Sequence, residues 1–428
     1  MAGRAPKTFH FTDYISISVY GFGLSALAAS FGSIILPAKI LGLVPRARKN
    51  TYLGSLAFVG LLLAVLVQPA AGAISDASRS RWGRRRPYIL VGSAFAVVFS
   101  LMTALSGSYA TVFISASLLQ VASNTAQGPY QAFIPDLVPD RRRGTASGVK
   151  NVVEILGILV CSRMVAYLVD RSLMEDTDVW LSLAVGFLGA VLLAAALVTV
   201  LTVKEQAITE VPSTSPLERL RNTFKIDTST RPDFMWFVLS RFFMVVAASS
   251  IQAFMLYYVQ DVLDVPNPAR FTTDVLVVAG ICTLAVAYPA GHLSDRIGRK
   301  QLIVLSAFGG IVSLVSLIAA RSYSHLLLSG AISGLSIGAF LSTNWALATD
   351  LVPLDEAARY LGLTNIATAG GAALARLQGP VIDLLNVRRP GSGYLVLFAV
   401  CVIFVLLGTG LLLRVQTQRG QAVQQPQQ

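Results

Sequence analysis

The sequence predicts an all-α membrane protein in which twelve transmembrane helices form two pseudo-symmetric six-helix bundles. Three observations lead to this fold class: the composition, a series of long apolar runs, and short motifs that recur between the two halves of the chain. Of the 428 residues, 54% are hydrophobic and 13% are charged, whereas a soluble globular protein carries about 25% charged residues. The composition is therefore that of a protein immersed in lipid.

Long apolar runs divide the chain into twelve segments. Four of the runs contain no Asp, Glu, Lys or Arg and approach or reach the roughly 20 residues that an α-helix needs to cross the hydrocarbon core: 51–75, 180–203, 302–320 and 394–413. Taking charged residues and Pro or Gly positions as breaks predicts two sets of six spans. The first set is 12–36, 51–75, 88–106, 110–137, 147–169 and 180–203, and the second is 234–259, 273–293, 302–320, 324–349, 360–385 and 394–413.

Short motifs recur in the two halves. Asp136-Leu-Val-Pro139 returns as Asp350-Leu-Val-Pro353 at an offset of 214 residues, and the element from Gly72 to Asp76 returns between Gly291 and Asp295. Parallel six-helix repeats that share a central site are a known transporter architecture. We expect an N-terminal bundle over 1–203, a cytoplasmic linker over 204–233, a C-terminal bundle over 234–413 and a disordered cytoplasmic tail over 414–428.

The net charge of +12 indicates orientation in a membrane rather than nucleic-acid binding, because the basic residues lie in short loops between apolar runs. An even number of spans puts both termini on one side, and a cytoplasmic placement assigns most Lys and Arg residues to inner loops. The sequence thus predicts a multi-pass protein of the plasma (inner) membrane with both termini in the cytoplasm. One outer loop, with Lys39, Arg46, Arg48 and Lys49, opposes this orientation.

The motif Gly-x-x-Ser-Asp followed by Gly-Arg-Arg or Gly-Arg-Lys, present after the second and the eighth segments, resembles the signature of the major facilitator superfamily. The resemblance implies the major facilitator fold and an alternating-access transporter. It also implies that the aspartates and arginines of this loop lock the two halves together when the cavity faces outward. The residues that match the gating motif are Gly72, Asp76, Arg84, Arg85, Gly291, Asp295 and Arg299.

The first half is similar to a narrower group. Leu66-Val-Gln-Pro-Ala-Ala-Gly-Ala-Ile-Ser-Asp76, and Asn124-Thr-Ala-Gln-Gly-Pro129 in the fourth segment, resemble the plant-type sucrose–proton symporters and the glycoside–pentoside–hexuronide group. Those symporters carry an aspartate that takes the proton and an arginine that contacts the sugar, where this chain has Gln120 and Gln131. Sucrose recognition and that route of proton coupling therefore do not follow from the resemblance.

Polar side chains follow one face of the fourth segment, because Gln120, Asn124, Gln127 and Gln131 are spaced by four, three and four residues. Amides in lipid need partners, so this face predicts either a wet cavity or polar contacts between helices. In the family the first, fourth, seventh and tenth helices line the cavity, and each carries such a polar face here. The predicted substrate-binding residues are Tyr20, Gln120, Asn124, Gln127, Gln131, Arg241, Gln252, Asn344 and Trp345.

Charged residues inside predicted spans are functional-site hypotheses, because they are costly in lipid. Glu154 and Asp13 are the candidate proton carriers of the first half, and the alternative for Glu154 is a local ion pair with Lys150 one turn away. Two further pairs have the same seven-residue spacing and predict outer gates or substrate contacts: Arg163 with Asp170, and Arg376 with Asp383.

These features predict a secondary transporter for a neutral polar solute, most simply a sugar or glycoside, coupled to protons. An exporter of amphipathic compounds or lipids is the alternative, favoured by the Phe and Met residues of the seventh segment, and a non-transporting membrane scaffold is a third. No enzymatic activity, metal or cofactor is expected, because no ligand spacing or nucleotide-binding loop occurs. The expected partners are the small-molecule solute, protons and the lipid bilayer, and the expected functional unit is a monomer.

Overall fold

The computed structural model describes residues 11–415 except 77, 79, 81, 140, 141, 176, 204, 206–231, 264, 266, 321 and 352–356, and leaves out the side chains of 349 and 357–362. Almost all of the predicted linker and tail therefore lie outside the described residues. Within the described part all regular secondary structure is helical, without strands.

The described part of the first half contains eight α-helices. The first predicted span is longer than expected, because α1, a π-helical turn over Phe31–Ile35 and α2 form one continuous span, Phe11–Leu41. A 3-10 turn, Arg46–Arg48, precedes α3. The fourth predicted span ends in a break at Ala132, which separates α5 from the short α6. The helices are α1 Phe11–Ser30, α2 Leu36–Leu41, α3 Lys49–Asp76, α4 Arg86–Leu105, α5 Tyr109–Gln131, α6 Phe133–Leu137, α7 Arg143–Glu175 and α8 Asp178–Thr202.

The second half contains seven described α-helices. Its eleventh predicted span is divided at Leu377 and Gln378, where a turn separates α13 from α14, and Pro380 lies in the first turn of the new helix. The helices are α9 Pro232–Val262, α10 Pro268–Ile297, α11 Arg299–Ala319, α12 Tyr323–Leu351, α13 Ala357–Arg376, α14 Gly379–Arg388 and α15 Ser392–Leu413.

Ten spans within the described residues are long and apolar enough to cross a membrane. Of the twelve predicted spans, the fourth and the eleventh fall short of that description. The fourth is α5, whose amide face lowers its apolar character, and the eleventh is divided between α13 and α14. Both belong to the repeat all the same, because they pack as their counterparts do.

Helix packing recurs between the halves. Helix α1 packs against α7 and α8, and α9 packs in the same way against α13 and α15. Helix α4 packs against α5 and α8, and α11 packs likewise against α12 and α15. The same order of neighbours in each half is the structural form of the internal repeat that the motifs predicted.

The chain forms two compact units, and α3 contributes to both. Unit 1 comprises Met1–Lys39 with Leu62–Pro216, and unit 2 comprises Ile40–Leu61 with Leu217–Gln428. Within unit 2, the first turns of α3 lie directly against the turn between α13 and α14. Gly54 faces the carbonyl oxygen of Arg376, and Gly379 faces that of Asn50, so closely that a Cβ atom on either glycine would overlap backbone. Only glycine permits this crossing of helices.

Candidate functional site

The amide face of α5 is present, but its members differ in what they contact. Asn124 is buried, and its Nδ2 donates to the Gln120 carbonyl oxygen at 2.8 Å. Gln131 is exposed and accepts a hydrogen bond from Gln68 of α3 at 2.8 Å. Gln127 is half-buried and has no hydrogen-bond partner among the described residues. Gln127 is therefore the amide of this face that has the most capacity left for a ligand.

Tyr20 lies in the packed interior of unit 1. It is fully buried, its hydroxyl pairs with the Ser93 hydroxyl at 2.9 Å, and its ring meets the Tyr130 ring edge-on at 4.9 Å. A ligand would have to displace Ser93 to reach this hydroxyl in the conformation described.

Glu154 and Lys150 form the i,i+4 ion pair that was one of the two expectations, with Nζ to Oε1 at 3.5 Å. The Lys150 ammonium lies 4.9 Å from the centre of the Tyr130 ring. Glu154 is half-buried where α7 packs against α1 at Gly21, and a Cβ at Gly21 would overlap both Glu154 and Tyr130. Asp13 is half-buried in the first turn of α1.

The gating motif of the first half is an ion-pair cluster inside unit 1. Arg85, which is buried, reaches Asp76 at 2.9 Å and Asp136 at 2.6 Å. Arg84 also pairs with Asp136, whereas it lies 3.9 Å from Asp76. The backbone amides of Arg85 and Arg86 donate to the Glu205 carboxylate at 2.9 and 3.1 Å. The carboxylate thus satisfies amides at the start of α4, where negative charge is favourable.

The second half repeats this cluster in reduced form. Arg299 pairs with Asp350 and lies 3.8 Å from Asp295. Gly83 and Gly298, at equivalent positions of the motif, have φ angles of +109° and +105°, which are accessible to glycine and costly for other residues. The glycine of the repeated Gly-Arg element therefore has a positive φ angle in both halves.

Asp136 and Asp350 were missed as members of the gating clusters. Both begin the repeated Asp-Leu-Val-Pro element, which was recognised as a repeat but not as a partner of the arginines. The sequence did contain a signal for this pairing. Each half has the Asp of the Asp-Leu-Val-Pro element and the Arg of the Gly-Arg element at matching positions, as expected for two ion-pair partners.

In unit 2, three helices bring polar side chains together around Arg241, which is buried in α9. Its Nε donates to the Thr368 hydroxyl of α13 at 3.0 Å, and its Nη1 donates to the Asn344 Oδ1 of α12. Trp345 and Gln252 are exposed side chains on α12 and α9. Within the described part of the chain, neither side chain forms a hydrogen bond or ion pair with the Arg241 cluster.

Arg376 and Asp383, which the seven-residue spacing had grouped together, contact different groups. The Asp383 carboxylate accepts the backbone amides of Asn50 and Thr51 at 3.3 and 2.7 Å, and also the Asn50 side-chain amide at 2.8 Å. Arg376 instead donates to the Ser249 carbonyl oxygen at 3.0 Å. Arg163 is exposed and Asp170 is buried. Asp383 therefore caps the N-terminus of α3, where the helix dipole favours an anion.

Two basic residues of the outer loop that opposed the predicted orientation form ion pairs with aspartates. Lys39, with a side chain 3% exposed, reaches Asp178 at 2.5 Å in unit 1. In unit 2, Lys49 reaches Asp261 at 2.6 Å, and the Tyr394 hydroxyl donates to the same carboxylate at 2.7 Å. Two of the four charges that opposed the predicted orientation are thus neutralised locally by acids.

The repeated bundles, the apolar spans and the polar side chains inside them define an integral multi-pass membrane protein of the transporter type. The sequence profile described as "Major Facilitator Superfamily" matches residues 9–376. The chain therefore belongs to the major facilitator superfamily and has its fold.

Relatives within the superfamily differ in what their names describe. The multi-drug resistance efflux pump PmrA of Streptococcus pneumoniae is 21% identical over 86% of this chain and 89% of its own. A glucuronide carrier protein homolog of Escherichia coli is 24% identical over 69% of this chain and 66% of its own. The sucrose transport protein SUC3 of Arabidopsis thaliana is 34% identical over 21% of this chain and 19% of its own. These matches agree with the resemblance to glycoside transporters and also include exporters.

Among solved structures, the chain is similar to the nucleoside transporter NupG. The TM-score is 0.74, the sequence identity is 12%, and the match covers 94% of this chain and 99% of that one. This likeness supports the fold alone.

Proposed function

We propose that this protein is a secondary transporter that moves a small polar solute with a sugar-like, hydroxyl-rich body by alternating access, driven by protons. The observation that carries the proposal is the set of polar side chains held inside membrane-spanning helices, above all Gln127 and the Arg241–Asn344 pair. Polar groups there are costly unless they serve one another or a ligand. The protein acts as a monomer and carries out no covalent chemistry on the solute.

The charged clusters serve as gates in this proposal. The arginine–aspartate clusters around Asp136 and Asp350 form the cytoplasmic gate, and the Asp383 cap on α3 belongs to the outer gate. Such groups suit a gate because an ion pair favours one arrangement, yet breaks completely when its partners separate.

The membrane orientation follows from the distribution of basic residues. Both termini lie in the cytoplasm, and the protein resides in the plasma membrane. The pairing of Lys39 with Asp178 and of Lys49 with Asp261 supports this orientation, because these two basic residues are neutralised within the outer half of the fold.

Coupling to protons is assigned to Glu154. This acid is half-buried in a membrane-spanning helix and holds Lys150 at 3.5 Å. A proton taken up by Glu154 would release Lys150, so protonation changes the contacts of α7 with α1. Asp13 is the second candidate.

Export of amphipathic compounds is the second candidate function. It is favoured by the similarity to the efflux pump PmrA and by an aromatic cluster in unit 2, where Phe243 meets Phe242 at 5.4 Å and Phe404 at 5.7 Å between ring centres. An apolar wall of this kind suits a flat, hydrophobic ligand.

Proteoliposomes with an imposed pH gradient separate the two functions. Accumulation of a labelled glycoside, and no accumulation of ethidium, is the result expected for the proposed function. Ethidium transport without glycoside transport would instead favour the export function. Solute transport that does not depend on the pH gradient would rule out proton coupling.

A further inference from the structure

Arg241 is a buried cation with neutral partners. It lies inside the candidate span Pro232–Val262, its residue is 7% exposed, and its two hydrogen bonds go to the Thr368 hydroxyl and the Asn344 amide oxygen. Within the described residues, no carboxylate forms an ion pair with it. A buried charge normally has a counter-ion, because hydrogen bonds to neutral groups do not cancel the cost of removing it from water.

Several other buried or half-buried cations among the described residues have compensation that Arg241 lacks. Lys39 and Lys49 each pair with an aspartate, and Lys150 pairs with Glu154. Arg376 also has no carboxylate partner among the described residues, but it lies in the last turn of α13, where the carbonyl end of a helix favours positive charge. Arg241 lies well inside α9 and has no such position.

Asn344 supplies an independent observation. The residue is completely buried, and its Oδ1 must face the guanidinium because Arg241 can only donate. Its Nδ2 therefore points elsewhere as a donor, and it has no hydrogen-bond partner among the described residues. A buried donor without an acceptor costs about 1–3 kcal/mol. The Asn344 amide therefore needs a hydrogen-bond acceptor, which a bound ligand would provide.

The cluster contains more donors than acceptors. Arg241 presents five N–H groups, of which two are used by Thr368 and Asn344, and the Asn344 amide adds unpaired donors. A sugar hydroxyl is both a donor and an acceptor and carries no charge, so it would add donors to a cluster that already has too many. A carboxylate brings only acceptors together with the missing negative charge, and its geometry matches a guanidinium.

We infer that the transported solute carries a carboxylate or comparable oxyanion, which Arg241 and the free amide of Asn344 bind within unit 2. The inference rests on the proposed transport function and replaces the neutral solute expected from the sequence by an acidic one. The inference concerns the charged group of the solute and leaves the proposed hydroxyl-rich body unchanged.

Binding of matched probes to the purified full-length protein tests the inference. Each pair consists of an acid and its uncharged counterpart: nitrophenyl glucuronide with nitrophenyl glucoside, glucuronate with glucose, and benzoate with benzamide. We expect at least one acid to bind tenfold or more tightly than its counterpart, measured by calorimetry. The wild-type comparison requires no variant, so it stands if a variant fails to fold.

Arg241→Gln should remove this preference, lowering affinity for the acid at least tenfold and for the neutral counterpart less than twofold. Arg241→Lys should retain part of it, because the charge remains but the planar fork of donors is lost. Arg388→Gln, which removes the same charge from an exposed residue at the end of α14, is the matched control and should bind as the wild type does.

Two results would overturn the inference: no acid exceeds its neutral counterpart, or the preference survives Arg241→Gln. The second would mean that another group recognises the acid. Uptake assays separate this inference from the proposed function. If the neutral sugars are transported without any preference for acids, the transport function stands and the anion site is rejected. If acids bind in a way that depends on Arg241 but no probe is taken up, the anion site stands and the transport function is rejected.

Discussion

The Asp383 carboxylate accepts both the backbone amide and the hydroxyl of Thr51, each at 2.7 Å. The two residues are far apart in sequence, and Asp383 belongs to α14 whereas Thr51 belongs to the first turn of α3. One side chain therefore holds the start of a helix from the first half of the chain inside unit 2.

Asp383→Asn should loosen this attachment. The amide would present its own N–H groups to the donors of Asn50 and Thr51, and hydrogen bonds to a charged group contribute about 1.5–3 kcal/mol. Faster hydrogen exchange over the first two turns of α3, and transport reduced about tenfold, are the expected results. Glu175→Gln, at an exposed acid, is the control, and unchanged exchange in Asp383→Asn would show that the carboxylate does not hold the helix.

The gating cluster gives a ranking of variants. Asp136 pairs closely with both Arg84 and Arg85, whereas Asp76 lies 2.9 Å from Arg85 and 3.9 Å from Arg84. Asp136→Asn should therefore reduce transport at least as strongly as Asp76→Asn, with expression and membrane insertion unaffected. Asp295→Asn should have the smallest effect, because Asp295 is exposed and 3.8 Å from Arg299. Uptake measured at equal protein levels checks the order, and wild-type transport in Asp136→Asn would remove that residue from the gate.

The α5 amides should separate into ligand contacts and packing contacts. Gln127→Ala should weaken solute binding tenfold or more, about 1.4 kcal/mol per factor of ten. Gln131→Ala should lower thermal stability instead, by about 0.6 kcal/mol for a polar contact between membrane helices, because Gln131 bonds Gln68. Thr125→Ala is a suitable off-face control, since its hydroxyl bonds only to the Val121 carbonyl. Equal losses of affinity in all three variants would mean that the face serves packing.

Coupling is tested by Glu154→Gln. The substitution keeps the shape of the side chain but removes the proton site and the ion pair with Lys150. Proton-driven accumulation should be lost while solute exchange across the membrane continues. Parallel exchange and accumulation assays in the same proteoliposomes measure both. If the variant still concentrates solute under a pH gradient, Glu154 is not the carrier and Asp13→Asn is the next variant to test.

Much of the fold could be predicted from the sequence because a membrane imposes its thickness on every span. The apolar run 394–413 has the length that a membrane span requires, and the observed helix α15, Ser392–Leu413, agrees with it. The motif repeats likewise predicted the repeated packing. The break between α13 and α14 was not predicted, because Gly379 and Pro380 were read as part of one continuous span rather than as the start of a helix.

The polar contacts were predicted less completely, because they join residues that are distant in sequence. The pairing of Lys150 with Glu154 follows from helical spacing alone. The capture of the α3 N-terminus by Asp383 depends instead on a tertiary approach that only Gly54 and Gly379 permit. The ion pairs of Lys39 and Lys49 also depend on tertiary contacts, because their acidic partners lie on α8 and α9, far away in sequence.

The shared α3 also restricts how chimeras with related transporters can be built. A breakpoint between the two sequence halves would join Gly54 and Thr51 from one parent to Gly379 and Asp383 from the other. A larger residue at either glycine would block the crossing, however well each parental half folds. Exchanging Ile40–Leu61 together with the second half, as the division into compact units suggests, keeps these co-dependent residues from a single parent.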